Sequence, residues 1–259
     1  AGTGGDGANT INITTAASLT AAAGGVKMIK CGNRSVSSKS GSADVLEALH
    51  IPLDLDPDRA VRQFESSNFT FLFAPAYNPA IAFVQPVRKA LGVPTLFNTM
   101  GPLLSPARPE FQIMGIANPA QGQMIAETMR ELGRGRALVV HGAGTDEIAV
   151  HGDTLVWELR DGEITHYTVT PEVLGVEKHS LEDLRGGDGA ANAAAMRATF
   201  AGEGPAAHRD AVAVSAGAMF TLYGITDSFA EGTAHAKQLL ADGTVAEWLR
   251  THEEADYSA

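Results

Sequence analysis

Two adjacent carboxylates, Asp146 and Glu147, close the run "ALVVHGAGTDE", just after a segment that reads as a strand ending in a glycine turn. Acids at the C-terminal end of a strand suit Mg2+, which keeps several waters and needs only one or two carboxylates plus substrate phosphates. A solvated acidic turn is the ordinary alternative for this pair taken alone. The chain also opens with "AGTGGDGANTINITT", in which Gly2, Gly4, Gly5 and Gly7 precede a helix-like run. A glycine turn entering a helix presents unpaired N–H groups and the positive end of the helix dipole, which together make an anion site. Asp6 would repel a bare phosphate, so it is expected to face a sugar hydroxyl or a cation-bound group. A surface turn without a ligand remains open for this loop.

A third element is the stretch "KCGNRSVSSKSGS", where Lys30, Asn33, Arg34, Ser37, Ser38, Lys39 and Ser42 gather donors around two glycines. Hydroxyl, amide and cationic donors in one loop match the many acceptors of a polyphosphate. A solvated linker has a similar composition. Two donor-rich glycine loops flanking one strand–helix unit nevertheless suggest a single large polyanionic ligand. Neither loop matches G-x-x-x-x-G-K-[ST], and neither is a G-x-G-x-x-G turn after a strand with an acid further on.

The elements that must hold these loops can be read coarsely. "NTINITTAASLTAAAGG" is expected to be a helix closed by Gly24-Gly25, and "VKMIK" a short strand. "ADVLEALH" has helical spacing, and "FTFLFAP" reads as a buried strand. "NPAIAFVQPVRKALG" is helix-like but interrupted by Pro86. "ALVVHGAGTDEIAV" reads as a strand, a glycine turn and a second short strand. "GDTLVWELRDGEITHYTVTP" is expected to be a hairpin about Asp161-Gly162, and from "GDGAANAAAMRATF" onward the pattern is helical. This alternation predicts a layered α/β fold with a largely parallel central sheet flanked by helices, in one domain spanning residues 1–259.

Composition narrows the partners. The chain has 259 residues, 44 % of them hydrophobic, and a net charge of −11. No basic stripe is present, which argues against nucleic acid and acidic membranes and favours backbone amides and a divalent cation over a basic surface for any phosphate binding. No run approaches the roughly 18 apolar residues of a membrane span. Cys31 is the single cysteine, which fits a reducing cytoplasm.

In this order and spacing the motifs resemble the anthranilate phosphoribosyltransferases of tryptophan biosynthesis. "GTGGDG…NIT", "GNRSVSSKSGSADVLEAL", "FLFAP", "PVRKALG", "FNTMGPLLSPA" and "GTDE" carry the resemblance along the whole chain. The resemblance implies transfer of a phosphoribosyl group from phosphoribosyl pyrophosphate (PRPP) to the amine of anthranilate, with Mg2+ as cofactor, in a homodimer. It implies that Gly2, Gly5, Asp6, Thr10, Asn12, Thr15, Lys30, Asn33, Arg34, Ser37, Ser38 and Ser42 bind PRPP. Gly2, Asn33 and Arg88 would meet anthranilate, and Thr14, Asp146 and Glu147 would hold the metal. A guanidinium such as that of Arg88 suits a planar carboxylate, because two N–H donors match two oxygens. Family members carry a helical domain before this α/β region, so its first strand and that bundle are expected to lie outside this sequence. Cys31 and Asn78 stand where the family pattern has histidine, and Pro94 where arginine is common, all on the acceptor side. The alternatives are transfer to another aromatic amine, a related nucleoside phosphorylase, or a non-catalytic ligand-binding paralogue.

Overall fold

The computed structural model describes residues 2–35, 39–77, 90 and 96–257, with backbone only at 96–98. Ser37, Ser38, Asn78, Pro86, Arg88 and Pro94 lie outside the described residues.

The first helix, α1 (Ile13–Ala23), is buried around nearly its whole circumference, which its run of Ala, Leu and small polar residues permits. It ends where Val26 N–H returns to Ala21 O and Gly25 N–H to Ala22 O, the backbone turning at Gly25 with φ of 92°. The chain then enters β1 (Met28–Gly32), which pairs in parallel with β2 (Phe69–Phe73). Between them lie α2 (Ser42–Ala48) and α3 (Pro57–Ser67). Asp56 caps α3 by accepting from Arg59 N–H at 3.0 Å, Pro57 supplies the first helical residue, and Asn68 ends it in the left-handed region. Short helices α4 (Ala74–Tyr77) and α5 (Leu96–Leu103) follow.

A second sheet begins with β3 (Phe111–Gly115), parallel to β4 (Arg136–Gly142), with α6 (Gly122–Glu131) crossing between them. Strands β5 (Thr154–Arg160) and β6 (Glu163–Val169) form the expected hairpin. Its two-residue turn has Asp161 at φ 52° and Gly162 at φ 80°, the geometry that matches the right-handed twist of the strands. The hairpin joins β4 antiparallel, so this sheet is mixed, and among the described residues the parallel pairings are β1–β2, β3–β4 and the single bridge Gly2–Gly115.

The second short strand expected within 137–150 does not form. The chain turns back at Ala143 and Gly144, both with positive φ, and only Thr145 pairs with Gly142. Ile148, Ala149 and Val150 are buried as a loop, because Ala149 N–H is taken by Thr154 Oγ1 and Val150 O by His179 N–H.

The C-terminal helices are α7 (Gly189–Phe200), α8 (Ala206–Tyr223), α9 (Phe229–Ala241) and α10 (Thr244–His252). One core joins α1, α2 and β2 to these helices through Leu19, Leu46, Phe71, Phe200 and Phe220. A second lies between β4, β5 and α8, and a third seats α6 on β3–β5 around Met114, Ile125 and Trp157. Among the described residues no helix is long and apolar enough to cross a membrane.

Candidate active site

The acid pair and the opening glycine loop meet. Gly4 N–H donates to Asp146 Oδ2 at 2.6 Å, and Asp146 N–H reaches Asp6 Oδ2 at 3.4 Å. The loop is seated on the end of β3, where Thr3 N–H donates to Gly115 O at 3.0 Å and Ala117 N–H to Thr3 Oγ1 at 3.2 Å. Glycine is required on both sides of Asp146. A Cβ on Gly2 would stand 2.1 Å from Asp146 Oδ2, and one on Gly115 only 1.6 Å from Asp146 O. The tight turn Gly142–Thr145, closed by Thr145 Oγ1 donating to Gly142 O, aims the two acids beneath the loop.

The site concentrates opposing charge in a dry place. Asp146 is 7 % exposed, and its carboxyl is pushed up by burial and by the Asp6 charge. Glu147 is pushed up by burial and by Asp146, while the Thr14 N–H at the open end of α1 works against that shift. Its Oε2 is buried without a hydrogen-bond partner among the described residues. Lys30 of β1 is buried too; burial lowers its pKa, and the charges of Glu147, Cys31 and Asp146 oppose the fall. An orphaned carboxylate oxygen beside a second raised carboxyl is a donor set that a divalent cation satisfies. Among the described residues no three Asp, Glu, His or Cys side chains converge on one point, so a cation here would draw its remaining ligands from bound substrate and water.

The second loop is built around Asp44 in the first turn of α2. Its Oδ2 accepts from Gly41 N–H at 2.8 Å and from Ser35 N–H at 2.9 Å, folding the loop back on the helix start. Ser42 opens α2 against Gly32, and Asn33 Oδ1 accepts from Arg34 N–H at 2.8 Å. The Arg34 guanidinium is not turned to the acid pair. It binds Glu47 in a fork, at 2.6 and 3.1 Å, and approaches Asp44 at 3.5 Å.

Asn12 links the two loops. Its Nδ2 donates to Ser40 O and its Oδ1 accepts from Ser40 Oγ, each at 3.1 Å, and from Asn192 Nδ2 at 2.8 Å. Thr10 pairs with Arg185 across an antiparallel bridge; Thr15 is buried within α1, and Thr14 is half-buried at its open end. Gly5 sits exposed with φ of 83°. Ser40, Asp44, Glu47 and Asn192 are additions to the sequence candidates. Asp44 is readable as an acid three residues after a glycine at a helix start; Asn192 has no local signal.

Beside β1 lies a cavity of about 380 Å³ whose lining includes Ser18, Lys30, Cys31, Ser105, Phe111 and Met219. Cys31 Sγ donates to Ser105 Oγ at 3.2 Å, and burial raises the thiol's pKa. No feature here activates Cys31 as a nucleophile.

Comparison with known proteins agrees with this geometry. Residues 1–246 match the model of the glycosyl transferase family, a/b domain. The chain is 74 % identical over 259 residues to the anthranilate phosphoribosyltransferase of Corynebacterium aurimucosum, covering 100 % of this chain and 75 % of that protein. It superposes on the crystal structure of anthranilate phosphoribosyltransferase from Thermus thermophilus with a TM-score of 0.91 at 44 % identity, over 97 % of this chain and 75 % of that one. The Saccharomyces cerevisiae enzyme in complex with PRPP and Mg matches with a TM-score of 0.87 at 25 % identity, over 98 % of this chain and 71 % of that one. The chain belongs to the α/β-domain glycosyl transferase family and, within it, to the anthranilate phosphoribosyltransferases.

Proposed function

We propose that this chain transfers the phosphoribosyl group of PRPP to the amine of anthranilate, giving N-(5-phosphoribosyl)anthranilate and pyrophosphate. The observation that carries the reading is the closure of the first glycine loop onto Asp146. It brings the loop's backbone amides to the acid pair, and the Thr14 N–H at the open end of α1 and the Lys30 charge both act on Glu147.

In this reading Gly2, Gly5, Asp6, Thr10, Asn12 and Thr15 of the first loop bind PRPP with Lys30 and with Asn33, Arg34, Ser37, Ser38 and Ser42 of the second. Close backbone approach at Gly2 and the amide donor of Asn12 serve its phosphate oxygens. Asp6 takes a ribose hydroxyl or a cation-bound group. Arg34 has to leave Glu47 before it can reach a ligand. Asp146, Glu147 and Thr14 would hold Mg2+, which when bound would neutralise charge on the leaving pyrophosphate. Arg88, Asn33 and Gly2 serve anthranilate.

The amine attacks C1 of the ribose on the face opposite the pyrophosphate, through a transition state with oxocarbenium character. The C1–N bond forms as the C1–O bond breaks, and the amine's proton leaves to solvent. An aromatic amine is weakly basic, so no strong general base is required. Catalysis rests on positioning two substrates and on preorganised donors at the departing oxygens. The catalytic unit is the α/β domain spanning residues 1–259. A preceding helical domain, homodimerisation and a cytoplasmic setting belong to the same reading, supported by the family resemblance.

The test mixes the protein with PRPP, Mg2+ and anthranilate, following loss of anthranilate fluorescence together with pyrophosphate release. Mg2+-dependent, equal progress of both signals is expected. PRPP binding with anthranilate untouched and no pyrophosphate released would leave the phosphate half of the reading standing and assign the acceptor side to another amine.

A further inference from the structure

Asn12 and Asn192 lie 180 positions apart in the chain yet share a hydrogen bond, and the two amides are oriented in series. The series starts at a group that cannot turn. Gly187 N–H donates to Asn192 Oδ1 at 2.7 Å, and a backbone N–H has no acceptor alternative. Neighbouring backbone fixes that segment, since Gly186 N–H donates to Asn9 O at 2.9 Å and a Cβ on Gly186 would strike Thr10 O. With its carbonyl end thus taken, buried Asn192 turns Nδ2 toward Asn12 and donates to Oδ1 at 2.8 Å. Ser40 Oγ donates to the same oxygen at 3.1 Å.

The donor inventory then closes. An amide oxygen has two lone pairs, and both on Asn12 are used by Asn192 and Ser40. The amide nitrogen has two hydrogens. One goes to Ser40 O at 3.1 Å, and the other has no partner among the described residues. Asn12 stands immediately before α1 but gives no side-chain cap to it, so its amide serves this cross-link and not the helix.

We propose that Asn192 is a positioning residue for the phosphoribosyl donor: together with Ser40 it fixes which end of the Asn12 amide faces the ligand, so that an N–H and not a carbonyl oxygen meets the polyanion. The long-range part of that restraint is relayed from the Gly187 backbone through Asn192 to Asn12, and Ser40 O supplies the local part. This rests on the reading of Asn12 as a PRPP contact and adds the residue that determines its polarity.

Orienting the Asn12 amide leaves a signature that a packing role lacks. Asn192→Asp is isosteric and would be the gentlest change if Asn192 only filled space. It replaces the donor facing Asn12 Oδ1 by an acceptor, so Asn12 is driven to reverse against the Ser40 carbonyl that holds its Nδ2, and an oxygen competes with the N–H for the place facing PRPP. Asn192→Ala removes the constraint without reversing it. Steady-state kinetics on Asn192→Asp, Asn192→Ala and Asn12→Ala, with thermal midpoints for each, read this directly. Expected is a rise in KM for PRPP of roughly 10- to 100-fold for Asn192→Asp, the scale of one hydrogen bond to a charged group. That rise exceeds the one for Asn192→Ala, with kcat changed far less. Lowering the pH, which protonates the introduced carboxylate into a donor, should shrink the rise selectively in that variant. In the unaltered protein, one of the two Asn12 side-chain amide proton resonances should shift when PRPP is added. If Asn12→Ala raises KM but Asn192→Asp does no more than Asn192→Ala, the orientation relay is overturned. If Asn12→Ala leaves KM for PRPP unchanged and neither resonance shifts, the reading of Asn12 as a contact falls, and the relay with it.

Discussion

Gly4 N and Asp146 Oδ2 stand 2.6 Å apart, a charge-assisted hydrogen bond between the first turn of the chain and a loop 142 positions later. Through it the glycine loop, the end of β3 and the acid pair form one unit. Asp146 fits there only because Gly2 leaves room for its carboxylate and Gly115 for its backbone carbonyl.

Gly115→Ala should therefore act on both fold and site. Its Cβ would lie 1.6 Å from a backbone oxygen, which cannot swing aside as a side-chain tip can. Overpacking of this kind costs about 1–3 kcal/mol, so the urea midpoint should fall with the slope unchanged. Turnover should drop further than stability accounts for, because Asp146 is displaced. A variant with wild-type midpoint and wild-type turnover would contradict the packing described here.

Both carboxyls of the acid pair lie above their unfolded values in the metal-free fold, Asp146 at about 6 and Glu147 at about 8. A folded pKa raised above its unfolded value gives stability that is full below the unfolded pKa and is lost as pH rises through the folded one. The thermal midpoint of the metal-free protein should thus decline from about pH 4 toward pH 8, and Glu147→Gln should flatten the upper part of that decline. Mg2+ requires the ionised acids, so its stabilising effect should grow over the same interval, with proton release seen by calorimetry in buffers of different ionisation enthalpy.

Arg34 is held by Glu47 across an exposed fork, at 2.6 and 3.1 Å. An exposed pair of this kind contributes little to stability, so Glu47→Gln should leave the thermal midpoint in place. It should lower KM for PRPP by freeing the guanidinium, whereas Arg34→Ala should raise it. Equal KM for Glu47→Gln and wild type would show that the pair does not compete with the ligand.

The sequence is most legible where a local rule is strong. The Ala-rich helix ending at Gly24-Gly25, the Asp161-Gly162 hairpin and the glycine loops each announce themselves within a few residues. β3 escapes such reading because "FQIMG" is only five residues long and its buried alternate positions are Gln112 and Met114, so no apolar alternation shows. α3 carries readable signals, Asp56 before Pro57 and Asn68 at its end, in a polar run that a search for apolar stripes passes over. The apolar run Ile148–Val150 fails as a strand because Thr154 and His179 have already claimed its amide and carbonyl. The turn of Arg34 toward α2 and the arrival of Asn192 at Asn12 are tertiary facts that no spacing rule reports.

The most direct measurement assays the double variant Asp146→Ala/Glu147→Ala beside the unaltered protein, with PRPP, anthranilate and millimolar Mg2+. Pyrophosphate release and anthranilate fluorescence are followed together, and the fold is checked by circular dichroism. Loss of turnover by at least about 10²-fold with the fold retained is the predicted result, the scale on which removing transition-state charge stabilisation is felt. Retained turnover in a folded double variant would contradict the account at its centre.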